Sequence, residues 1–563
     1  MNKNINIPLS EYPRPQLVRD SYLSLNGYWS YRIFDKKNKL RKQGKILVPF
    51  SPECKLSGVE SQLMPKETLI YNLEVDISDF IKYDHILLHF DKVDQLSELY
   101  INNNHVLDHT NGYLPFECDV KPYLKKDSSI ISIELRVKDD SNISGRAKGK
   151  QRLSRGGIFY TAQSGIYMPV WIEGVNKNYI QKLKIKPDID RKILNLTVFS
   201  IAKTVNVTIE NVTKEISTNK EVSIAINDLK LWSPESPYLY DLKISSDDDI
   251  ITSYFAMRKF SLIKDSNNIM RLALNNKPYF FKGVLDQGYW EESLLTPPND
   301  EAYIKDIMAI KDMGFNVTRK HIKVENLRFY YHCDRLGLVV WQDFINGGGD
   351  SSISKHFIFS KLVPHLSDDQ YWFFHRRNKK IRIESENEFY ELINYLFNVP
   401  SIGLWTIFNE GWGQFDSERI YKECLKIDNT RIYDHASGWY DQNISDVKSL
   451  HVYFKRVKMP KIEPNRAIIL SECGGYSLRI PNHYYSKKEF GYKKMHNSDE
   501  LLKYYSDLVD IDVINNIPKG LSAFIYTELS DVEDELNGFL TYDRKVNKIP
   551  FEKIKEINDK IKY

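Results

Sequence analysis

Over the first 175 or so positions apolar and polar residues alternate in short runs, and no run keeps a helical spacing. Gly27–Phe34 (GYWSYRIF), Thr68–Val75 (TLIYNLEV), Ile86–Phe90 and Ile130–Val137 (IISIELRV) read as strands, and Leu99–Ile101 runs into Asn102, Asn103 and Asn104. Period-two patterning punctuated by turn residues predicts an antiparallel sandwich. Its closing segment, Ser164–Ile172, reads as a strand broken by Pro169. Residues 176–262 repeat the style with shorter runs, among them Ile180–Ile185, Leu196–Ser200, Val205–Ile209, Glu221–Ile226 and Tyr240–Ile244. Roughly seven short strands in a unit of that size predict a small immunoglobulin-like β-sandwich, here a spacer.

After Arg258 the period changes, and strand-like runs alternate with helical ones, as in βα units. Tyr279–Leu285 is the first barrel strand of the reading, Phe315–Thr318 the second and Leu338–Trp341 the third, with helices over Ala302–Met313 and Asn326–Leu336 between them. From Asp343 to about Glu386 the pattern lapses into a long irregular segment holding Gly347–Gly349 and Trp372–His375. An excursion of that length predicts a lid or a pocket wall. Further strands follow from Ile402, near Arg431–Tyr433, near Leu450–Tyr453, before Glu472 and at Leu521–Thr527. The count reaches eight, which predicts a C-terminal (β/α)8 TIM barrel over 263–563 behind two β-sandwich domains at 1–175 and 176–262.

Two of these strands end alike. Ile402–Phe408 runs out at Asn409, Glu410, Gly411, Trp412 and Gly413, and Ala467–Leu470 runs out at Ser471, Glu472, Cys473, Gly474 and Gly475. One glutamate on a barrel rim means little, but two in matching strand–Glu–Gly contexts supply the paired carboxylates that cleave a glycosidic bond. Glu410 is then the general acid, which needs a raised pKa, with Trp405, Trp412 and Trp439 as candidates for its apolar wall. Glu472 is the nucleophile and must stay ionised, for which Arg319 is the candidate cation. Asn409 can serve the same site only if the chain turns at once, as Gly411 permits, and it would then donate to a sugar hydroxyl. Tyr453 is a candidate donor to Glu472. Asp286, His321 and His451 also end candidate strands. No His-x-His pair accompanies them, so they are read as sugar hydrogen-bonding groups, with no metal and no cofactor expected. The sequence does not fix the carboxylate separation that divides retention from inversion.

Charge and cysteines narrow the partners. Net charge is +4 (79 basic against 75 acidic residues), which gives no general argument for nucleic acid. The one basic run, Arg146–Arg155 (RAKGKQRLSR), is not continued elsewhere; it is expected to be a solvated loop, the alternative being a loop reaching the active site or an anionic substrate group. Five scattered cysteines without a CxxC pair fit a reducing compartment. With no apolar leader at the N-terminus and no long apolar stretch, the expectation is a cytoplasmic location and no membrane partner. The expected partner is an oligosaccharide or glycoside, and a homo-oligomer is left open.

These residues resemble glycoside hydrolase family 2, the β-galactosidase, β-glucuronidase and β-mannosidase group, nearly end to end. Leu25–Ile33 is similar to the opening of the family's jelly-roll sugar-binding domain, Val93–Val120 to its strongest N-terminal signature and Ser164–Glu173 to its closing strand. In the barrel, Asp312–His321 (DMGFNVTRKH), Trp405–Gln414 (WTIFNEGWGQ) and Ile469–Tyr476 (ILSECGGY) resemble family motifs, the last two those of the acid/base and the nucleophile. The resemblance implies a retaining mechanism, Asn409 on the 2-hydroxyl, Tyr453 supporting Glu472, and His321, Trp439 and Tyr526 lining the sugar pocket. The Asn-x-Lys pair by which the family's glucuronidases grip a uronate recurs after Glu472 only at Asn558 and Lys560, and before Glu410 at Asn378 and Lys380, neither in a convincing position. The expectation is therefore a retaining exo-β-glycosidase acting on a galactoside-type sugar. The alternatives are a β-glucuronidase, an α-L-arabinopyranosidase or an inactive carbohydrate-binding protein.

Overall fold

A computed structural model describes residues 7–126, 128–349 and 353–563. In the first sandwich, Gly27–Phe34 turns Trp29, Tyr31 and Ile33 inward and exposes or half-exposes the residues between them. A six-stranded and a four-stranded sheet close over these side chains and over Tyr71, Leu135 and Ile172. Pro169 divides the closing segment into two strands, Gly165–Ile166 and Val170–Val175, because proline cannot donate to a ladder. The second sandwich has seven strands, from Ile180–Asp188 to Ile250–Phe255, in sheets of three and four.

The barrel strands are β1 (Phe281–Asp286), β2 (Val317–Lys320), β3 (Val339–Asp343), β4 (Ile402–Thr406), β5 (Ile432–Asp434), β6 (Val447–Val452), β7 (Ala467–Gly474) and β8 (Leu521–Thr527). All pair in parallel in the order β5-β4-β3-β2-β1-β8-β7-β6, and only β5 and β6 are not joined by ladder bonds. Alternation sorts the side chains into two cores. Phe281, Leu285, Trp341, Leu404, Ile469 and Ile525 fill the interior, closed at its base by Phe260 and Leu272 of a short antiparallel sheet. Val284, Val340, Trp405, Leu470, Phe524 and Tyr526 face the surrounding helices. The helices begin where the sequence offers caps: Asn299, Asn326 and Asn497 each accept from a first-turn amide.

Two expectations need correction. The 343–386 segment is not wholly irregular: it carries a helix at Ile353–Leu362, and the helix leading to β4 begins early, at Lys379, under the Asn378 cap. The basic run is not a solvated loop. Lys148 and Lys150 are 8% and 6% exposed. Their segment is held against the barrel by Lys148 N–H and Gly149 N–H donating to the Asn346 carbonyl at 2.8 and 3.3 Å, and by Gly348 N–H donating to the Gly145 carbonyl. Backbone bonds to another domain, which composition does not reveal, overrule the preference of lysine for water.

Candidate active site

The site lies where β2, β3, β4, β6, β7 and β8 open at their C-terminal ends. By alternation Arg319 on β2 and Asp343 on β3 point inward. Arg319 Nε and Nη2 donate to the two Asp343 oxygens at 2.9 and 3.0 Å, Nη2 also reaches Asn409 Oδ1 at 2.8 Å, and Nη1 reaches Glu472 Oε1 at 3.1 Å. A guanidinium only donates, so this contact fixes the Asn409 amide with its NH2 turned away from Arg319, free to face a substrate hydroxyl. His321 Nδ1 sits 2.7 Å from Asp343 Oδ2. Burial, with the Lys150 charge adding to it, pushes the imidazole down to about 4, so the ring is neutral at pH 7.

Asn409 and Glu410 share the site because the chain turns on Glu410 itself, whose φ is +51°, and continues through Gly411 at +70°. A non-glycine residue in this region costs of order 1 kcal/mol or more, and such outliers gather at functional sites. Glu410 N–H donates to the Ser437 carbonyl and Oε1 meets His451 Nδ1 at 2.8 Å, while Ser437 Oγ holds His451 Nε2 at 2.9 Å. Glu472 reaches the pocket by a different route. Simple alternation from Ile469 (inside) and Leu470 (outside) would leave Glu472 outside, but the pairing of β7 with β6 slips between Leu450 and His451, so His451 stands opposite Glu472. This bulge turns both Ser471 and Glu472 inward and leaves Cys473 outside. The Tyr453 hydroxyl donates to Glu472 Oε2 and its ring stacks on Tyr492 at 3.7 Å.

The two carboxylates end up close and electrically opposite. Oxygens of Glu410 and Glu472 and a nitrogen of His451 all lie within 4.8 Å of one another, the one grouping of possible metal-ligating atoms among the described residues. Burial, reinforced by the Glu472 charge, raises the pKa of Glu410 despite its bond to His451. Burial alone would raise Glu472 too, but the fields of His451 and Arg319 and the Tyr453 hydroxyl outweigh it and hold that carboxyl below its usual range. One acid is thus biased to keep its proton and the other to lose it, the division of labour that acid–nucleophile pairs require.

A cleft of about 540 Å³ opens from Glu410 between Phe159, Phe357, Trp439, Tyr453 and Tyr492, so Trp439 forms part of its wall. Trp412 is buried beside Phe159 of the first sandwich, 5.8 Å between ring centres. Trp405 is not part of the wall: it faces the helices and donates to Asp428. Two of the expected sugar-binding residues also lie apart from this group. Asp286 follows the inward Leu285 and so points outward, where it accepts from Lys320 at 2.5 Å. Tyr526 follows the inward Ile525 and is packed on Phe539 and Tyr505 in the helix-facing core. Asp343, Ser437 and Tyr492 were not singled out by the sequence, and Lys150 only as part of the basic run. Asp343 could have been, since it ends a barrel strand as Arg319 and Glu472 do.

Comparison with known proteins agrees with this architecture. Residues 58–171, 178–258 and 264–514 match, in order, the models described as glycosyl hydrolases family 2, sugar binding domain; glycosyl hydrolases family 2; and glycosyl hydrolases family 2, TIM barrel domain. The chain belongs to glycosyl hydrolases family 2. A beta-glucuronidase of Streptococcus agalactiae is 22% identical over 427 residues, 71% of this chain and 68% of that protein. A beta-galactosidase of Oenococcus oeni is 22% identical over 501 residues, 78% of this chain and 45% of that protein. The chain spans less than half the length of several curated relatives that it matches. Among solved structures, a beta-D-glucuronidase of Dictyoglomus thermophilum superposes with a TM-score of 0.76 at 17% identity, covering 98% of this chain and 99% of that one. A beta-galacturonidase of Eisenbergiella tayi bound to galacturonate gives 0.71 at 17%, covering 98% and 100%. Among the described residues no helix is long and apolar enough to cross a membrane.

Proposed function

We propose that the protein is a retaining exo-β-glycosidase whose glycone is a uronic acid. The observation that carries the reaction type is the approach of Glu410 and Glu472 to within 4.8 Å. Retaining pairs stand about 5–5.5 Å apart and inverting pairs about 6.5–9.5 Å, with a water between them. In the first step a Glu472 oxygen attacks the anomeric carbon, the bond from that carbon to the leaving oxygen breaks, and Glu410 gives its proton to that oxygen. In the second step Glu410, now a carboxylate, takes a proton from water as the water oxygen displaces Glu472 and restores it. Arg319 and Tyr453 stabilise Glu472 as the leaving carboxylate, and Asn409 orients the sugar.

A neutral galactoside, the expectation from sequence, has support in relatives named beta-galactosidases. The uronide reading is preferred because relatives of both kinds carry it: the S. agalactiae beta-glucuronidase aligned over most of both chains, and the glucuronidase and galacturonidase structures that share the whole three-domain layout. The test is a panel of p-nitrophenyl β-D-glucuronide, galacturonide, galactoside and mannoside, with proton NMR of the first-formed sugar. We expect a uronide to have the highest kcat/KM and a β-configured initial product. An α-configured product would remove the retaining mechanism, and a preference for the galactoside would remove the uronide.

A further inference from the structure

Several buried lysines of this fold are paired with acids. Four lysines are almost wholly buried and hold a carboxylate: Lys92 with Asp91 at 2.9 Å, Lys320 with Asp286 at 2.5 Å, Lys323 with Glu325 at 2.7 Å and Lys548 with Asp531 at 2.6 Å. That is what the cost of burying an ammonium demands. Lys150, 6% exposed, departs from it. Among the described residues its ammonium makes no hydrogen bond and no ion pair, and its recorded contact is with the face of Tyr160, 5.6 Å from the ring centre.

Lys150 is also held in place. Gly149 before it is pressed so closely on the exit of β2 that a Cβ there would come within 2.9 Å of the Ile322 carbonyl oxygen. Its own carbonyl accepts from Tyr160 N–H, and Gln151 after it is fixed by bonds to Asp94 and to the Tyr113 hydroxyl. The segment belongs to the first sandwich, yet it lies over the mouth of the barrel, next to His321. The Lys150 charge lowers the pKa values of His321, Glu410 and Glu528, groups on the ends of β2, β4 and β8. Burial and the neighbouring Glu535 push Glu528 well above the usual carboxylate range, so Glu528 is poorly suited to serve as a counter-ion.

Lys361 and Lys455 also line the cleft, but the two Asn-x-Lys pairs lie elsewhere. Asn378 caps a helix while Lys380 projects into solvent. Asn558 is bonded to Met313 and Tyr505, and Lys560 faces Asp510. Resting on the uronide reading above, we propose that Lys150, reaching over from the first sandwich, is the specificity-determining cation that receives the C5 carboxylate of the glycone. The substrate supplies the anion that the chain withholds, and the first sandwich thereby completes the sugar pocket of the barrel.

The experiment compares wild type with Lys150→Met and Lys150→Arg on p-nitrophenyl β-D-glucuronide, β-D-galacturonide and β-D-galactoside. For Lys150→Met the ratio of kcat/KM for the preferred uronide to that for the galactoside should fall about 100-fold or more, chiefly through KM, as for loss of a buried charge-assisted contact. Lys150→Arg should restore part of the ratio. Free glucuronate or galacturonate should lose inhibition of Lys150→Met in parallel. If both activities fall together, or the ratio does not move, Lys150 only balances neighbouring acids and the inference is overturned. Wild type reports separately on the parent reading: if it cleaves neutral glycosides and no uronide, the uronide falls while the retaining glycosidase stands. Thermal unfolding of each variant shows whether it is folded, and Lys150→Gln replaces Lys150→Met if that variant is not.

Discussion

The ends of β4 and β7 are written in nearly the same letters and built in different ways. At β4 the backbone leaves the strand through a left-handed residue, Glu410, whose own φ is +51°. At β7 the strand continues, and a slip in pairing rotates Glu472 into the barrel. The surroundings differ as well. Glu410 has His451 and the weaker field of Lys150 against burial and a like charge, whereas Glu472 has Arg319, His451 and Tyr453. A carboxylate at a strand end is therefore only a raw material, and the partners aimed at it decide whether it holds a proton or a negative charge.

The sharpest way to break that comparison is to remove each carboxyl in turn. Glu472→Ala should lose about 10⁴-fold or more in kcat on every aryl β-glycoside, since no covalent intermediate can form. Glu410→Ala should lose about 10²–10⁴-fold on poor leaving groups and far less on dinitrophenyl glycosides, which need little protonation. Equal losses across leaving groups for Glu410→Ala would mean that the two strand ends do the same job.

The pH dependence sharpens it further. On the proposed mechanism, activity needs Glu472 ionised, which sets the acid limb at a pKa below the usual carboxylate range, and Glu410 protonated, which sets the alkaline limb at a raised pKa. His451 lowers both groups, so His451→Asn should carry both limbs of the kcat/KM profile to higher pH. Tyr453 stabilises the charge on Glu472 alone, so Tyr453→Phe should raise the acid limb and leave the alkaline limb in place. A cost of about 10-fold at the optimum for Tyr453→Phe corresponds to about 1.4 kcal/mol, the scale of one hydrogen bond to a charged group. If Tyr453→Phe moved the alkaline limb instead, the assignment of limbs to residues would be reversed.

How much of this the sequence disclosed follows from which features are local. The run Leu521–Thr527 coincides with β8, and both glutamates stand in one pocket, because apolar runs and glycine turns are local signals. Asp286 was drawn into the pocket because it ends a strand, and Tyr526 through the family resemblance. Which face an end residue takes depends on counting inward from a residue whose side is known, and the sequence does not mark that side. Glu472 would fail the same count but for the bulge, which arises from the pairing of β6 with β7 and not from either strand alone. The basic run misled for a similar reason. Its charges say water, and the carbonyl of Asn346, two hundred residues away in the chain, says otherwise.

The smallest effects test the two backbone devices directly. Gly411, at φ +70°, has no room for a methyl: a Cβ would stand 2.4 Å from Tyr440 Cδ2, and that ring is itself packed edge-on against Phe374. Gly411→Ala should cost about 2–3 kcal/mol from the left-handed backbone and the forced shift of the ring, and should lower kcat by displacing Glu410. Ser471→Ala touches the other device. The Ser471 hydroxyl lies 3.0 Å from Ser437 Oγ and 2.5 Å from Ser449 Oγ, yet the inward turn of Glu472 comes from the ladder slip between β6 and β7. Ser471→Ala should therefore lose about 1 kcal/mol of stability, and kcat/KM should change by no more than about 5-fold. Both are measured by thermal unfolding alongside kinetics on one aryl glycoside. A loss for Ser471→Ala as large as that for Gly411→Ala would show that the three serine hydroxyls, and not strand pairing, hold Glu472 in place.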